Sequence, residues 1–217
     1  MELRRPSPPP LPSLDGLLQA ADNALRALFA PAQARRQPPG LPAAAPLSEA
    51  DRRHVAGLMR VNHAGEIAAQ ALYHGQALMA RSPQTREFLL QAAAEEGDHL
   101  AWCQQRLREL DGRTSYLDPL WYAGSFMIGA AAAALSDPLS LGFVTETERQ
   151  VESHLAGHLE QLPADDARSR RILETMQQDE VGHARAASER GAAELPFPVR
   201  GLMRLTARVM TGTAYRV

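Results

Sequence analysis

The 217-residue sequence contains no lysine and a single cysteine, and each shortage excludes a class of protein. All 23 basic side chains are arginine, and 25 acidic side chains leave a formal net charge of −2. Such a chain has no overall positive field to hold a phosphate backbone, so we do not expect a nucleic acid partner. One thiol, Cys103, forms neither an internal disulfide nor a thiolate metal cage, and we expect it to pack in the core. Any metal must therefore be held by carboxylates and imidazoles.

The sequence also lacks the alternating polar and apolar residues of β-strands and the apolar core of an N-terminal secretory signal. Helical patterns occur instead, and they cover about 13–29, 48–79, 84–110, 139–162 and 165–190. Short loops near 81–83 and 163–164 pair the last four helices, whereas 111–138 is too long for a turn. We predict an all-α protein in a reducing cytoplasm, built as a four-helix bundle with one long crossover.

Both ends of the chain differ from this central pattern. Ten of the 16 prolines precede residue 47, which predicts a Pro-rich arm over 1–47 with one amphipathic helix, followed by a helical domain over 48–217. A basic amphipathic helix is predicted at about 198–210, with arginines at helical spacing at 200, 204 and 208. It either lies on an anionic membrane surface or docks on the bundle with a solvated arginine stripe.

The crossover has no charged residue between Asp118 and Asp137. These 18 residues are at the lower limit of a membrane span, but small residues and two bounding prolines argue against one. We expect the crossover to be buried on the bundle or to contact a bilayer.

Glu-x-x-His occurs twice, at Glu96–His99 and at Glu180–His183. Residues three apart share one helix face, so each pair can direct a carboxylate and an imidazole at one point. An acid precedes each of these glutamates, Glu95 and Asp179, and can accept the spare imidazole N–H of the histidine on the facing helix.

The other two bundle helices each supply a glutamate in a largely apolar or small-residue setting, Glu66 and Glu148. Glu152 lies one turn after Glu148 and is the alternative on that helix. The order Glu, Glu-x-x-His, crossover, Glu, Glu-x-x-His is the ligand set of a ferritin-like di-metal bundle. Two divalent cations would neutralise four buried carboxylates, and mixed oxygen and nitrogen ligands suit iron or manganese better than structural zinc. We expect iron, because open positions on Fe(II) can take O2.

Other polar residues have simpler interpretations. Glu146 is predicted to be exposed to solvent, and His63 is either near the site or structural. His154 and His158 form an i, i+4 pair without a carboxylate at metal-ligand spacing, and one of them is expected to act as a proton donor near the pocket.

Several sequence motifs, in their order along the chain, resemble those of the bacterial Coq7-type di-iron 3-demethoxyubiquinol hydroxylases of ubiquinone biosynthesis. The resemblance extends over about 48–217 and is carried by 60–66, 95–99, 121–126, 140–148, 179–184 and 210–215. It implies a ferritin-like fold and iron ligands at Glu66, Glu96, His99, Glu148, Glu180 and His183, with Glu96 and Glu180 bridging two irons. His154 matches a histidine close to the centre, while a tyrosine often found next to it is Leu155 here.

The resemblance further implies an O2-dependent monooxygenase that hydroxylates the quinol ring of a polyprenyl demethoxyubiquinol, with electrons from NADH. It implies a peripheral protein on the cytoplasmic face of the cell membrane, with other ubiquinone-biosynthesis proteins as possible partners. The alternatives are a ferritin-like iron-storage protein, a rubrerythrin-like peroxide-scavenging protein, and a metal-free bundle that binds isoprenoid lipid. The absence of a Cys-x-x-Cys pair argues against the second, and the charge-free crossover and basic C-terminal helix argue against storage.

Overall fold

The computed structural model describes residues 12–37, 42–43 and 46–217, and these residues form seven α-helices and no β-strand. The all-α prediction is therefore confirmed for the described part of the chain. The helices are α1 Leu14–Phe29, α2 Glu49–Met79, α3 Pro83–Glu109, α4 Asp118–Leu135, α5 Asp137–Gln161, α6 Ala167–Glu189 and α7 Phe197–Ala214. The predicted Pro-rich arm lies outside the described residues at 1–11, 38–41 and 44–45, and its division from the bundle at residue 47 remains a prediction.

The four bundle helices α2, α3, α5 and α6 begin at side-chain caps that the sequence encodes. The Ser48 hydroxyl accepts a hydrogen bond from the Asp51 amide at 3.1 Å, and the Asp166 carboxylate accepts one from the Ser169 amide at 3.0 Å. Ser82 and Ser136 cap α3 and α5 in the same way, and a proline occupies the first turn of each of these helices. Such caps satisfy amide groups that the helix leaves unpaired, which fixes where each helix begins.

Short turns join α2 to α3 and α5 to α6, and α4 makes the connection between these two pairs. The predicted crossover is thus itself a helix, packed on α2 and also contacting α5. α2 and α4 pack closely because a glycine of each helix faces the backbone of the other. A Cβ atom on Gly75 would lie 2.1 Å from the Phe126 carbonyl oxygen, and one on Gly129 would lie 2.1 Å from the Leu72 carbonyl oxygen. No helix within 12–37, 42–43 and 46–217 combines the length and apolar character needed to cross a membrane.

The terminal helices cover the bundle from two sides. α1 contacts α2 and α4. α7 contacts α2 and α5, and it ends at Ala214 rather than near residue 210. Tyr215 holds the end of α7 against α2. The Tyr215 hydroxyl lies 2.7 Å from His54 Nδ1, and the Tyr215 ring fills the space beside Gly57.

Two apolar clusters fill the bundle at different heights. One contains Met59, Trp102 and Met176, and the other contains Tyr73, Val144 and Ala187. On each bundle helix, the predicted metal-ligand positions fall between the residues that enter these two clusters. The fold therefore places the polar side chains at mid-height, with apolar core above and below them.

Candidate metal centre

The six predicted ligands come from four different helices and meet in the interior. We call these side chains the carboxylate–imidazole cluster: Glu66 on α2, Glu96 and His99 on α3, Glu148 on α5, and Glu180 and His183 on α6. The four carboxylates are at most 2% exposed. Burial of so many acidic groups has a high desolvation cost unless cations or protons neutralise them.

The cluster consists of two overlapping groups, within each of which the ligand atoms all lie within 4.8 Å of one another. One group contains Glu66, Glu96, His99 and Glu180, and the other contains Glu96, Glu148, Glu180 and His183. Glu96 and Glu180 belong to both groups. This is the disposition expected of two neighbouring metal positions that share two carboxylates.

The two imidazoles occupy equivalent places on either side of the shared carboxylates. His99 Nδ1 lies 3.1 Å from Glu96 Oε2 and 3.2 Å from Glu180 Oε1. His183 Nδ1 lies 3.3 Å from the other oxygen of Glu96 and 3.4 Å from the other oxygen of Glu180. Each shared glutamate therefore turns one oxygen toward each half of the cluster.

The outer nitrogen of each imidazole is paired with an acid from the facing helix, which confirms this part of the sequence prediction. His99 Nε2 lies 3.1 Å from Asp179 Oδ2, and His183 Nε2 lies 2.7 Å from Glu95 Oε2. An acceptor at Nε2 holds its proton there and leaves Nδ1 free to bind a metal. The orientation of both rings is thus suited to coordination from Nδ1.

The pKa shifts within the cluster show how strongly it requires positive charge. Burial, reinforced by neighbouring carboxylates, raises the pKa of Glu66 and Glu148 well above the ordinary value. Burial alone would lower the pKa of His99, but the acids around its ring, Asp179 at Nε2 and Glu180, Glu66 and Glu96 near Nδ1, outweigh it and raise that pKa. Without a metal, protons must supply the charge that cations would supply.

Several cluster atoms also lack a hydrogen-bond partner within the described structure. They are Glu96 Oε1, Glu148 Oε2, both carboxylate oxygens of Glu180, and His183 Nδ1. Buried polar atoms are rarely left without a partner, and these atoms converge on the two groups. The donor set of oxygens and imidazole nitrogens fits a pair of iron or manganese ions.

Tyr73 is a residue of the centre that the sequence analysis missed. Its ring is fully buried, and its hydroxyl donates a hydrogen bond to Glu148 Oε1. Burial, together with the neighbouring carboxylates, keeps the pKa of the phenol well above its usual value, so Tyr73 remains a donor. Tyr73 follows Glu66 by seven residues, or two helical turns, so the two side chains share one face of α2; this spacing could have identified Tyr73 from the sequence.

Four further expectations concerned polar or sulfur-containing residues near the centre. Glu146 was predicted to be exposed, and this is wrong: α7 covers that face of α5, so Glu146 is buried and its Oε1 accepts a hydrogen bond from Gln150. His63 belongs to neither four-residue group of the described residues, and its Nδ1 lies 3.3 Å from Asp118 Oδ2 at the start of α4. Glu152 belongs to neither four-residue group found within the described residues. The prediction that Cys103 packs in the core is confirmed.

A cavity of about 850 Å³ leads from the surface to one side of the cluster between α2, α4, α5 and α7. Its wall includes Glu66 and His154, together with apolar residues such as Leu72, Ile128 and Met203. His154 does not belong to either ligand group of the described structure, but its buried Nε2 has no hydrogen-bond partner there. Burial lowers the pKa of His154 below its ordinary value, so this imidazole is neutral at physiological pH.

His158 also lines the cavity and is fixed on its other side. Its ring contacts that of His154 at 4.0 Å between centroids, and its Nδ1 lies 2.8 Å from Asn62 Oδ1. Burial, with a smaller effect of His154, lowers the pKa of His158 to about 3. Both members of the predicted histidine pair are therefore uncharged beside the cavity.

Comparison with known proteins identifies sequence relatives of this chain. A sequence model of the ubiquinone biosynthesis protein COQ7 matches residues 53–214. A Bordetella avium protein named 3-demethoxyubiquinol 3-hydroxylase is 57% identical over 204 residues, which are 94% of this chain and 95% of that protein. Proteins of the same name from Chromobacterium violaceum and Dechloromonas aromatica are 57% and 56% identical, and the alignments cover 94% of this chain and 100% and 99% of theirs.

Proposed function

This chain belongs to the family of the ubiquinone biosynthesis protein COQ7, and we propose that it hydroxylates the quinol ring of a polyprenyl demethoxyubiquinol at a pair of iron ions. The observation that carries this proposal is the buried arrangement of four glutamates and two histidines in two groups that share Glu96 and Glu180. The names of the relatives favour this enzyme over iron storage or peroxide scavenging.

The six cluster side chains are the proposed iron ligands. Glu66 and His99 would hold one ion, Glu148 and His183 would hold the other, and Glu96 and Glu180 would bridge them. Two divalent ions carry the charge that balances four carboxylates, and they leave both imidazoles neutral. When bound, the iron pair supplies the reaction with O2, for which we propose NADH as the source of electrons.

The cavity beside Glu66 is the proposed site of the quinol ring. Its mostly apolar wall suits an aromatic ring and the first units of a prenyl chain, and a pocket of several hundred cubic ångströms is typical for a small-molecule ligand. Its wall also includes α7 residues such as Met203 and Met210, past which the prenyl chain would extend. The apolar surroundings exclude water from the ring while it lies next to the cluster.

His154 is the proposed catalytic histidine. Its neutral imidazole lies in the cavity wall, and its buried Nε2 is free of other hydrogen bonds within the described residues. This atom can exchange a proton with a hydroxyl group of the quinol ring. Contact with the His158 ring fixes its orientation.

We also propose that the protein is peripheral on the cytoplasmic face of the cell membrane. Phe197, Leu202, Leu205 and Val209 are exposed along α7, and α1 and α4 expose further large apolar side chains, including Phe29 and Met127. Apolar side chains beside the arginines of α7 are typical of a helix that lies in the membrane interface. Flotation with anionic vesicles should carry the protein, and an L202S/L205S double variant should remain in solution.

Isotope labelling tests the proposed reaction directly. Iron-loaded protein, NADH and a short-chain demethoxyubiquinol are incubated under ¹⁸O2, and the quinol product is analysed by mass spectrometry. The expected product contains one additional oxygen atom, derived from O2, and metal-free protein forms none. Absence of the hydroxylated product, or oxygen that comes from water, would contradict the proposal.

A further inference from the structure

Residues 31–37, which follow α1, lie across α3 beside His99, and we call them the latch segment. The Arg35 and Arg36 amides both donate to Asp98 Oδ1, at 2.5 Å and 3.3 Å. The Ala32 amide donates to Gln104 Oε1 at 3.2 Å. These bonds attach the latch segment to α3 on both sides of His99 along the chain.

The side chain of Arg36 continues from this attachment to the support of the metal centre. Its guanidinium donates to both carboxylate oxygens of Asp179, the acid that accepts from His99 Nε2. It also lies over the Trp102 ring, 4.9 Å from the centroid, and the Trp102 and His99 rings are 5.2 Å apart. Trp102 Nε1 in turn donates to the Arg36 carbonyl oxygen at 2.9 Å. Arg36 therefore contacts two neighbours of the His99 ring, Asp179 and Trp102.

The other half of the cluster has a weaker support. Glu95, the partner of His183, accepts a hydrogen bond at 2.8 Å from the side-chain amide of Gln91, which is neutral, whereas Asp179 is bound by a guanidinium. The Glu95 side chain is 43% exposed, against 24% for Asp179, and the His183 side chain is 10% exposed, against 0% for His99. A forked guanidinium fixes a carboxylate more firmly than an amide does, and less water reaches the half that it supports.

We infer that Arg36 is a positioning residue for His99, acting through Asp179, and that the latch segment makes the two metal positions unequal. The position that includes His99 retains its ion longer than the position that includes His183. This inference rests on the proposed iron centre.

Metal release under anaerobic conditions tests it. Fe(II)-loaded protein is mixed with an excess of a ferrous chelator, and the coloured complex is followed with time. The wild-type protein should release iron in two phases, and Glu95→Gln should accelerate the faster one, which assigns it to the His183 half. Arg36→Gln should accelerate the slower phase by up to about 10-fold, the lower end of the effect of losing a group bonded directly to a metal ligand, because Arg36 acts through Asp179.

Arg35→Gln is the matched control, because it removes the same charge one residue earlier and keeps the backbone amide that binds Asp98. It should release iron as the wild type does. Arg36→Lys should fall between Arg36→Gln and the wild type, since lysine keeps the charge but not the fork. In magnetic circular dichroism of the Fe(II) form, Arg36→Gln should shift the ligand-field bands of one ion only.

The outcomes separate this inference from the proposed function. If the wild type binds no iron, both the iron centre and the inference are overturned. If it binds about two ions per chain but Arg36→Gln leaves release unchanged, or Arg35→Gln accelerates it equally, the inference alone is overturned. Metal-free Arg36→Gln should unfold at nearly the wild-type temperature, because an exposed ion pair contributes at most about 1 kcal/mol.

Discussion

At the scale of single residues, Glu148 and Glu152 lie one helical turn apart on α5, and the fold places Glu148 against Tyr73 and beside His183. We expect Glu148→Ala to remove a ligand, to lower the iron content, and to abolish ring hydroxylation, so that demethoxyubiquinone accumulates in cells. Glu152→Ala should keep both the iron and the activity. Lipid extraction and iron analysis of the two variants check this prediction. Full iron and undiminished activity in Glu148→Ala would show that the ligand on α5 is a different carboxylate.

The residue scale also shows how far a sequence predicts a site. The Glu-x-x-His pairs could be predicted because each depends on positions three apart on one helix, and the acid before each glutamate could be assigned to the facing histidine once the two motifs were placed on facing helices. Tyr73 meets Glu148 across 75 residues of sequence, and Arg36 meets Asp179 across 143. Such contacts depend on how helices pack, which local spacing does not encode. The exposure predicted for Glu146 was wrong for the same reason, because α7 covers it.

At the scale of the elements, α4 depends on close backbone contact with α2. A Cβ on Gly129 would lie 2.1 Å from a carbonyl oxygen of α2, whereas one on Gly124 of the same helix would meet nothing within 4 Å. We expect Gly129→Ala to force the helices apart at a cost of about 3 kcal/mol. Its melting temperature should fall by roughly 6 to 12 °C.

Gly124→Ala is the control for this prediction, because it adds the same methyl group to α4 and improves helix propensity by up to about 1 kcal/mol. Thermal unfolding by circular dichroism measures both variants. Equal stability of Gly129→Ala and the wild type would contradict the observed packing.

Helix boundaries were largely predictable, because serine and aspartate caps and prolines mark where the bundle helices begin. The crossover was not recognised as a helix, since it is apolar on all sides and shows no amphipathic period. Its Gly129 becomes informative only when it is seen to face the backbone of α2, as Gly75 of α2 faces the backbone of α4.

At the scale of the whole molecule, metal and protons compete to neutralise the cluster. Without metal, the folded protein raises the pKa of Glu66, Glu148, His99 and His183. Each of these groups stabilises the fold fully below its ordinary pKa, 4.5 for the glutamates and 6.5 for the histidines, and this contribution declines as pH rises from there toward the raised pKa. We therefore expect the melting temperature of metal-free protein to fall between pH 7 and pH 9.

The iron-loaded protein should show a much flatter dependence on pH over the same range, because bound ions replace the protons. Scanning calorimetry of the two forms in matched buffers makes the comparison. A metal-free melting temperature that stays constant or rises with pH would be inconsistent with a cluster that needs cations.

The most direct test of the iron centre is anomalous X-ray diffraction from crystals of the iron-loaded protein, recorded on both sides of the iron absorption edge. We predict two anomalous peaks roughly 3.5 to 4 Å apart, one within each four-residue group, with Glu96 and Glu180 between them. A single peak, or peaks away from the six cluster side chains, would contradict the account.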